Sequence, residues 1–590
     1  MQLRSVCSFG AWLVLVAILP ASWQMAIAAE AESLVEPFDA PPLADLEGRV
    51  KWIDQPVLDG AELLRQRQSS EPSLATVPQA LALRNDSAEA NAKILNAMGR
   101  LPAHDTDVNW DATMVRHLGG DVKSTNPIMG SSSAEFEVAT LVNFGLFSFD
   151  WDFKPFAAKE SVVSWQSSED HLYDKVVLRD DLLWSDGTPI TAHDVEFSFL
   201  TIMNPKVPVP AMRSGTDKLR YVKAYDDRTV VFFHTEPLAT NVWNINFGIL
   251  PKHIYKDSVA DDPTLANSAY HVKYDENPVC GGPYRVVSRE RGVEVVVERR
   301  DDYHMFNGKQ VRAKPYFKRV RFSVLPDPNT TLLALKTGKV DECQLNPEQW
   351  TTQTDGEDFY RVNTKARGTE WVYFYFGWNL KTPYFSDVRV RKAMSYAFDH
   401  EEMIKTLCYG LYQPCNGIYH PTAWMYPKDD PPKPYRQDLD RAEELLEQAG
   451  WTDSDGDGVL DKEVDGKTTK FEFSILCTQT PLAISICSLL KQNLEQIGVL
   501  CNVRPLEYTV LQEKELNHEF HAMMGGWGTG TDPDTADNIW VTGQGRNFVN
   551  YSNPKVDQLY EQGRREFDRQ KRAALYAEID RLIYDDQPST

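Results

Sequence analysis

The chain has 590 residues, 42% hydrophobic and 25% charged, with a formal net charge of -23. That length exceeds a single core, so two or more packed units are expected, and the composition is that of a soluble, globular protein. The acidic balance excludes nucleic acid and an anionic membrane surface as partners.

At the N-terminus, Arg4 precedes the apolar run "AWLVLVAILP", which is too short to span a bilayer, and Ala26-Ile27-Ala28 offers an A-x-A cleavage site. Residues 1–28 read as a secretory signal peptide, with an uncleaved anchor as the alternative. The mature protein is then expected to be exported, periplasmic or extracellular, and soluble. Cys7 falls within the signal, and the remaining seven of the eight cysteines leave at least one free thiol or an intermolecular bond. Cys408 with Cys415, Cys280 with Cys343, and Cys477 with Cys501 are candidate pairs that sequence alone cannot choose between. The absence of C-x-x-C argues against a zinc ribbon or a thioredoxin-type site.

Residues 29–105 are rich in Pro, Ala and acidic residues and read as an extension or linker, interrupted by one helical patch, "SAEANAKILNAMGR". Order begins near residue 106. "SSSAEFEVATLV" predicts a helix capped by serine, and Thr191 caps a second helix after the turn "SDGTP". Strand signals dominate from 220 to 325, in "TVVFFH", "GPYRVVSRERGVEVVVERR" and "FKRVRFSVL". "NTTLLALKTGKVDECQL" then reads as helix, glycine turn and short strand. From about 370 a new pattern starts with "EWVYFYFGWNL", a buried strand, followed by a helix pair capped by Ser386 and Asp399. "DLDRAEELLEQAG" is a helix with Asp438 as cap and Gly450 as stop. "KFEFSIL", "SICSLLKQNLEQIG" and "VLCNVRPL" give strand, helix and strand, the order of an α/β lobe with parallel strands.

Between that capped helix and the next strand lies "GWTDSDGDGVLDKEVDG", in which Asp453, Asp455, Asp457 and Asp461 recur at the spacing of a calcium loop. An EF-hand needs a bidentate Glu at position twelve, which here is Val464. The loop is therefore not an EF-hand. Its four Asp are candidates for a structural calcium, against the plainer reading of a solvated turn built from Asp and Gly. No other cofactor is expected.

Four blocks, spread in order over residues 106–590, together resemble the family 5 extracellular solute-binding proteins, the oligopeptide- and dipeptide-binding components of ABC importers. They are "TNPIMGSSSAEFEVATLVNFGLFSFDWD" with "LRDDLLWSDGTPITAHDVEFSF"; "NPVCGGPYRVV" with "VEVVVERRDDYHMFNG"; "NTTLLALKTGKVDE" with "SDVRVRKAMSYAFDHEEMI"; and "GGWGTGTDPDTADNIW" with the helical C-terminal run. The resemblance implies an α/β, two-lobed, periplasmic-binding-protein type II-like fold with a hinge. The first lobe would span 106–350, with an inserted subdomain at about 141–225, and the second 351–590. The implied function is a monomeric receptor that closes on a peptide or other small solute and presents it to a membrane permease, with no covalent chemistry.

The resemblance places Gly526 and Trp527 on the cleft wall, with Thr529 beside them, where backbone can pair with an extended peptide; a core role is the alternative for Trp527. Two charged anchors of the peptide binders are missing. The Asp expected three residues after the Trp is Gly530, with Asp532 and Asp534 as nearby substitutes, and the Arg that meets a ligand carboxylate is replaced by the region of Gln479 and Thr480. Longer peptides held by backbone pairing, oligosaccharides or nickel complexes gain weight accordingly. Trp378 is a candidate platform for sugars or apolar side chains, or else part of a buried strand. The family's chain returns to the first lobe, with a final strand and helix, after the segment that resembles "IYDDQPST"; this sequence stops at Thr590, so either it is a fragment or its first lobe is completed differently, and a missing strand would expose an edge of that lobe's sheet. Enzyme motifs are weak: "HEFH" is not H-E-x-x-H, and no G-x-S-x-G occurs. An exported hydrolase and a ligand sensor that signals to a membrane receptor are the alternatives from other classes.

Overall fold

The computed structural model describes residues 34–70, 102 and 104–590, apart from Arg361, Ala366, Asn416, Thr529 and Thr531. The signal segment 1–28 and the helical patch "SAEANAKILNAMGR" lie outside the described residues.

In lobe I the chain runs through α1 (Leu43–Arg49), β1 (Trp52–Asp54), β2 (Thr113–Leu118) and α2 (Ser133–Val142). It continues with β3 (Val162–Ser168), β4 (Tyr173–Leu178), α3 (Ala192–Ile202), β5 (Leu219–Ala224) and β6 (Thr229–His234). The hairpin β7 (Tyr284–Glu290) and β8 (Glu294–Arg299), then β9 (Arg319–Val324) and α4 (Pro328–Lys336), complete it. The caps are those the sequence predicts. Ser132 accepts from the Glu135 amide at 3.3 Å while Glu135 accepts from the Ser132 amide at 2.9 Å, a reciprocal capping box.

Two larger sheets organise this lobe, beside a three-stranded and a two-stranded one. One is four-stranded, β7-β8-β9-β2, with β9 and β2 parallel and α2 packed on it. The other is five-stranded, β1-β3-β4-β6-β5, and covers a core that includes Trp165, Phe199 and Phe232. This second sheet is the inserted subdomain, and it corrects two expectations. A boundary near residue 225 would cut it, because β6 lies between β4 and β5, and Phe247, Leu250 and Leu265 belong to the same core. The segment read as an extension is in part folded: β1 pairs with β3 at the sheet edge, and fully buried Leu46 packs with Val231 and Phe233. The edge of the four-stranded sheet is covered at one point, where Arg116 of β2 bridges Glu342 in parallel.

Lobe II holds β10 (Val372–Trp378), α5 (Val388–Ala397), α6 (Leu439–Gln448), and the hairpin β11 (Asp461–Val464) and β12 (Lys467–Lys470). Then come β13 (Glu472–Thr478), α7 (Pro481–Glu495), β14 (Leu500–Leu506), α8 (Tyr508–Leu516) and β15 (Ala522–Gly528), followed by a helical pair, α9 (Pro554–Arg565) and α10 (Arg569–Asp586). Its sheet has the order β10-β15-β13-β14, with β13 and β14 parallel as predicted. Phe471, Phe473 and Ile475 point into the core under α5, α6 and α7, as their alternation requires. Asp438 caps α6 as expected; α5 is capped by Asp387 rather than Ser386, since it is Asp387 that accepts from the Arg389 amide at 2.9 Å. The acidic loop leads into the polar β11–β12 hairpin before the buried strand begins. Only the second half of β10 is buried; Val372 and Phe374 are exposed.

None of the candidate disulfides is formed. All seven described cysteines carry free thiols, and Cys477 lies in contact with Cys487 rather than Cys501. The lobes meet where the α9–α10 pair leans on the inserted subdomain: the Ala239 amide donates to the Arg564 carbonyl at 2.7 Å, and His171 stacks on Phe567 with ring centroids 3.8 Å apart.

Candidate functional site

A cavity of about 2590 Å³ lies between the lobes. Lobe I contributes Asn109, Met114, His117 and the run from Val340 to Gln349; lobe II contributes the first half of β10, the second half of β15, and α8. The centre of this wall is the pair β10–β15. They are antiparallel with Tyr373 opposite Trp527, Tyr375 opposite Gly525 and Gly377 opposite Met523. The outward edge of β10 is engaged by the last residues of the chain, where Phe376 and Thr590 exchange amide–carbonyl bonds of 2.8 and 2.9 Å. Phe376 therefore faces away from β15, and by antiparallel alternation Gly526 and Gly528 face away from β10. On that side β15 pairs with β13 only at Ala522 and Met523. Among the described residues the N–H and C=O of Gly526 and Gly528 thus have no strand partner; both residues are exposed, and Gly526 lines the cavity. Glycine suits the position: a Cβ at Gly526 would press on the Phe374 ring at 3.0 Å.

Trp527 is half-buried and lines the cavity. Its ring lies nearly parallel to that of Tyr375, 6.5 Å between centroids, and 5.5 Å from Phe548. The helix α8 turns one face to the same space, because Tyr508, Leu511, Gln512 and Glu515 follow the three- and four-residue spacing of a helix face and all line the cavity. Glu515 is 8% exposed, and burial pushes its carboxyl up to about 7.

The other sequence candidates divide. Thr480 lines the cavity, but its hydroxyl is engaged as the cap of α7, accepting from the Ala483 amide at 3.4 Å. Gln479 is exposed and is not part of the cavity wall. Thr529 lies outside the described residues. Trp378 is corrected: it is fully buried on the opposite face of the sheet, against Phe385 and Phe473, with its indole N–H donating to Thr590 at 3.0 Å. Asp532 is corrected as well. It is 4% exposed and grips Arg572 of α10 through two bonds, at 2.5 and 2.7 Å. Asp534 accepts from Tyr576 at 3.0 Å and sits beside Arg564; burial pushes its carboxyl up to about 6. Neither Asp substitutes for the anchor missing at Gly530, where a Cβ would overlap the Thr535 side chain.

Of the four acidic-loop residues, Asp453, Asp455 and Asp461 bring carboxylate oxygens within 4.8 Å of one another, while Asp457 pairs with Lys470, which also reaches Asp455 at 3.5 Å. Asp453 accepts from the amides of Gly456, Asp457 and Gly458, and buried Asp461 accepts from the amide and hydroxyl of Ser454. None of them lines the cavity.

The role of Asp532 has a direct test. Asp532→Ala leaves the buried Arg572 guanidinium unpaired, which is expected to cost about 3–5 kcal/mol in urea unfolding. Unchanged stability with a loss of ligand affinity would instead restore it as a ligand group.

With this geometry in view, the relationships of the chain are clear. The family model of the bacterial extracellular solute-binding proteins, family 5 Middle, matches residues 159–548. The oligopeptide-binding protein AppA of Bacillus subtilis is 30% identical over 431 residues, covering 70% of this chain and 74% of that protein. The dipeptide-binding protein of Escherichia coli is 23% identical over 452 residues, covering 72% and 78%. The structure of B. subtilis AppA in complex with a nonapeptide superposes with a TM-score of 0.68 at 25% identity, covering 82% of this chain and 92% of that one. NikZ of Campylobacter jejuni in complex with Ni(L-His) gives 0.66 at 25% identity, covering 81% and 91%. Among the described residues no helix is long and apolar enough to cross a membrane. The chain belongs to family 5 of the bacterial extracellular solute-binding proteins.

Proposed function

We propose that this protein is an exported receptor that closes its two lobes around a peptide and hands it to the membrane permease of an ABC importer. The observation that carries the reading is the open strand edge that begins at Gly526, on the wall of the interlobe cavity. An extended peptide laid along that edge adds a strand, and its backbone bonds form whatever its side chains are. The rings of Trp527, Phe548 and Tyr412 supply apolar surface for those side chains. The cavity, at about 2590 Å³, exceeds the roughly 300–1,000 Å³ of a drug-sized ligand pocket, which favours a ligand of several residues. The engagement of Asp532 and Asp534 elsewhere points the same way, because a short zwitterion depends most on charged end anchors. The nonapeptide bound by B. subtilis AppA supports this choice.

Binding makes and breaks no covalent bond, so the protein acts as a stoichiometric, monomeric receptor rather than an enzyme, and residues 1–28 are removed on export. A metal–amino-acid complex is the second reading, favoured by the likeness to NikZ with Ni(L-His).

A thermal-shift series with peptides of increasing length, oligosaccharides and nickel–histidine separates these readings. A peptide at a hundred times its dissociation constant is expected to add about 2.7 kcal/mol of stability. Trp527→Ala is expected to weaken that peptide about tenfold or more. A shift with oligosaccharide or nickel–histidine alone contradicts the peptide reading.

We also propose that the acidic loop is a turn closed by its own hydrogen bonds, with Lys470 supplying the positive charge that its carboxylates need. Melting temperatures in millimolar calcium and in chelator are expected to agree. A rise of several degrees with calcium would make Asp453, Asp455 and Asp461 a structural calcium site.

A further inference from the structure

One buried carboxylate in the cleft has no partner among the described residues. Of the carboxylates that line the cavity, Glu342 pairs with Arg116, Glu370 accepts from Gln344 at 2.9 Å, and Asp341 accepts from the Val115 amide at 2.7 Å. Asp107 is exposed to solvent. Glu515 differs from all of these. It is 8% exposed, and no cation or hydrogen-bond donor among the described residues is paired with its carboxylate. The cavity wall it shares is apolar and aromatic: Tyr375 lies within electrostatic reach of it, and Tyr375 and Leu511 pack with Phe520 and Met523 in a small core that Trp527 and Phe548 adjoin. Leu511 lies one turn before Glu515 on the helix face that lines the cavity.

A lone carboxylate in such a place is costly to ionise, and none of the described residues offsets that cost. Aromatic rings around it add no donor, but their faces attract a positive charge held near the ring centroid. A buried carboxylate that lines a ligand cleft together with aromatic rings therefore suits a cationic group on an apolar stem.

We infer that Glu515 is the counter-ion for a cationic group of the bound solute, seated against the cavity wall that it shares with Tyr375, Leu511, Trp527 and Phe548. The group is a lysine or arginine side chain or the N-terminal ammonium of a peptide. This rests on the peptide reading above and gives it a charge preference. It also supplies, from a different element, the anionic contact that Gly530, Asp532 and Asp534 do not provide. Burial pushes the Glu515 carboxyl up to about 7 when nothing sits beside it. A bound cation favours the ionised form, so that occupied and empty clefts differ in charge state.

The test uses the full chain and a calorimetric titration with Ala/Gly peptides of matched length. Each carries a single lysine, or its uncharged isostere norleucine, at each position in turn, with the N-terminus free or acetylated. At one position, or at the free terminus, the charged peptide is expected to bind about thirtyfold or more tightly than its neutral counterpart. Glu515→Gln, which keeps the shape of the side chain, is expected to abolish that ratio while the neutral peptides still bind. The position at which the ratio collapses tells a side-chain cation from the terminal ammonium. Peptides that bind with no charge preference, or a preference that survives Glu515→Gln, overturn the assignment and leave the peptide reading standing. Failure of every peptide to bind overturns both.

Discussion

A strand carries hydrogen-bonding groups along both of its edges, and in β15 one edge is filled for only part of its length. Beyond Met523 the neighbouring β13 no longer pairs with it, and Gly526 and Gly528 turn their amides and carbonyls away from β10, Gly526 on the cavity wall. Such an edge on a convex surface invites aggregation. Here it is short, carries no side chains that could block or bury it, and faces the opposite lobe across a concavity. The function proposed for the protein depends on keeping this edge open to ligand and closed to everything else.

The remainder of lobe II holds the edge in position. Helices α5, α6 and α7 pack on one face of the sheet through Phe473, Ile475 and Leu490, and α8 closes the other through Leu511. The chain end occupies the far edge of β10 at Phe376 and Trp378, while β15 is left incomplete toward the cleft beyond Met523. The loop after β15 is drawn away by Arg572 and Tyr576 of α10, which removes its carboxylates from the ligand's path. The result is a wall that offers backbone, aromatic faces and a single unpaired carboxylate. Sequence-tolerant affinity follows from the first two, and selectivity from the third.

Much of the fold was legible locally. The capping box at Ser132 and Glu135, the Asp438 cap and the alternation of Phe471, Phe473 and Ile475 each state their structure within a few residues. Short, polar or edge elements were harder. The β11–β12 hairpin has no apolar face, and β1 contributes three residues whose role depends on a sheet assembled more than a hundred residues later. The site was legible where it rests on backbone: Gly526 and Trp527 stand on the cleft wall. It was not legible where it depends on tertiary partners. Asp532 lies close in sequence to the expected anchor, yet its carboxylate belongs to Arg572, 40 residues away. Trp378 is decided by strand parity and by the helices that cover one face. Glu515 gave only a faint signal, a charge on the same helix face as Leu511, and its burial emerges only in the folded chain.

The measurement that bears most directly on the open edge is amide hydrogen exchange with and without a saturating peptide. The account predicts that the amides of Gly526 and Gly528 slow sharply when peptide binds, while the loop from Asp453 to Asp461 exchanges at an unchanged rate. Peptide binding that leaves the β15 amides as fast as before, with protection appearing elsewhere, would contradict it.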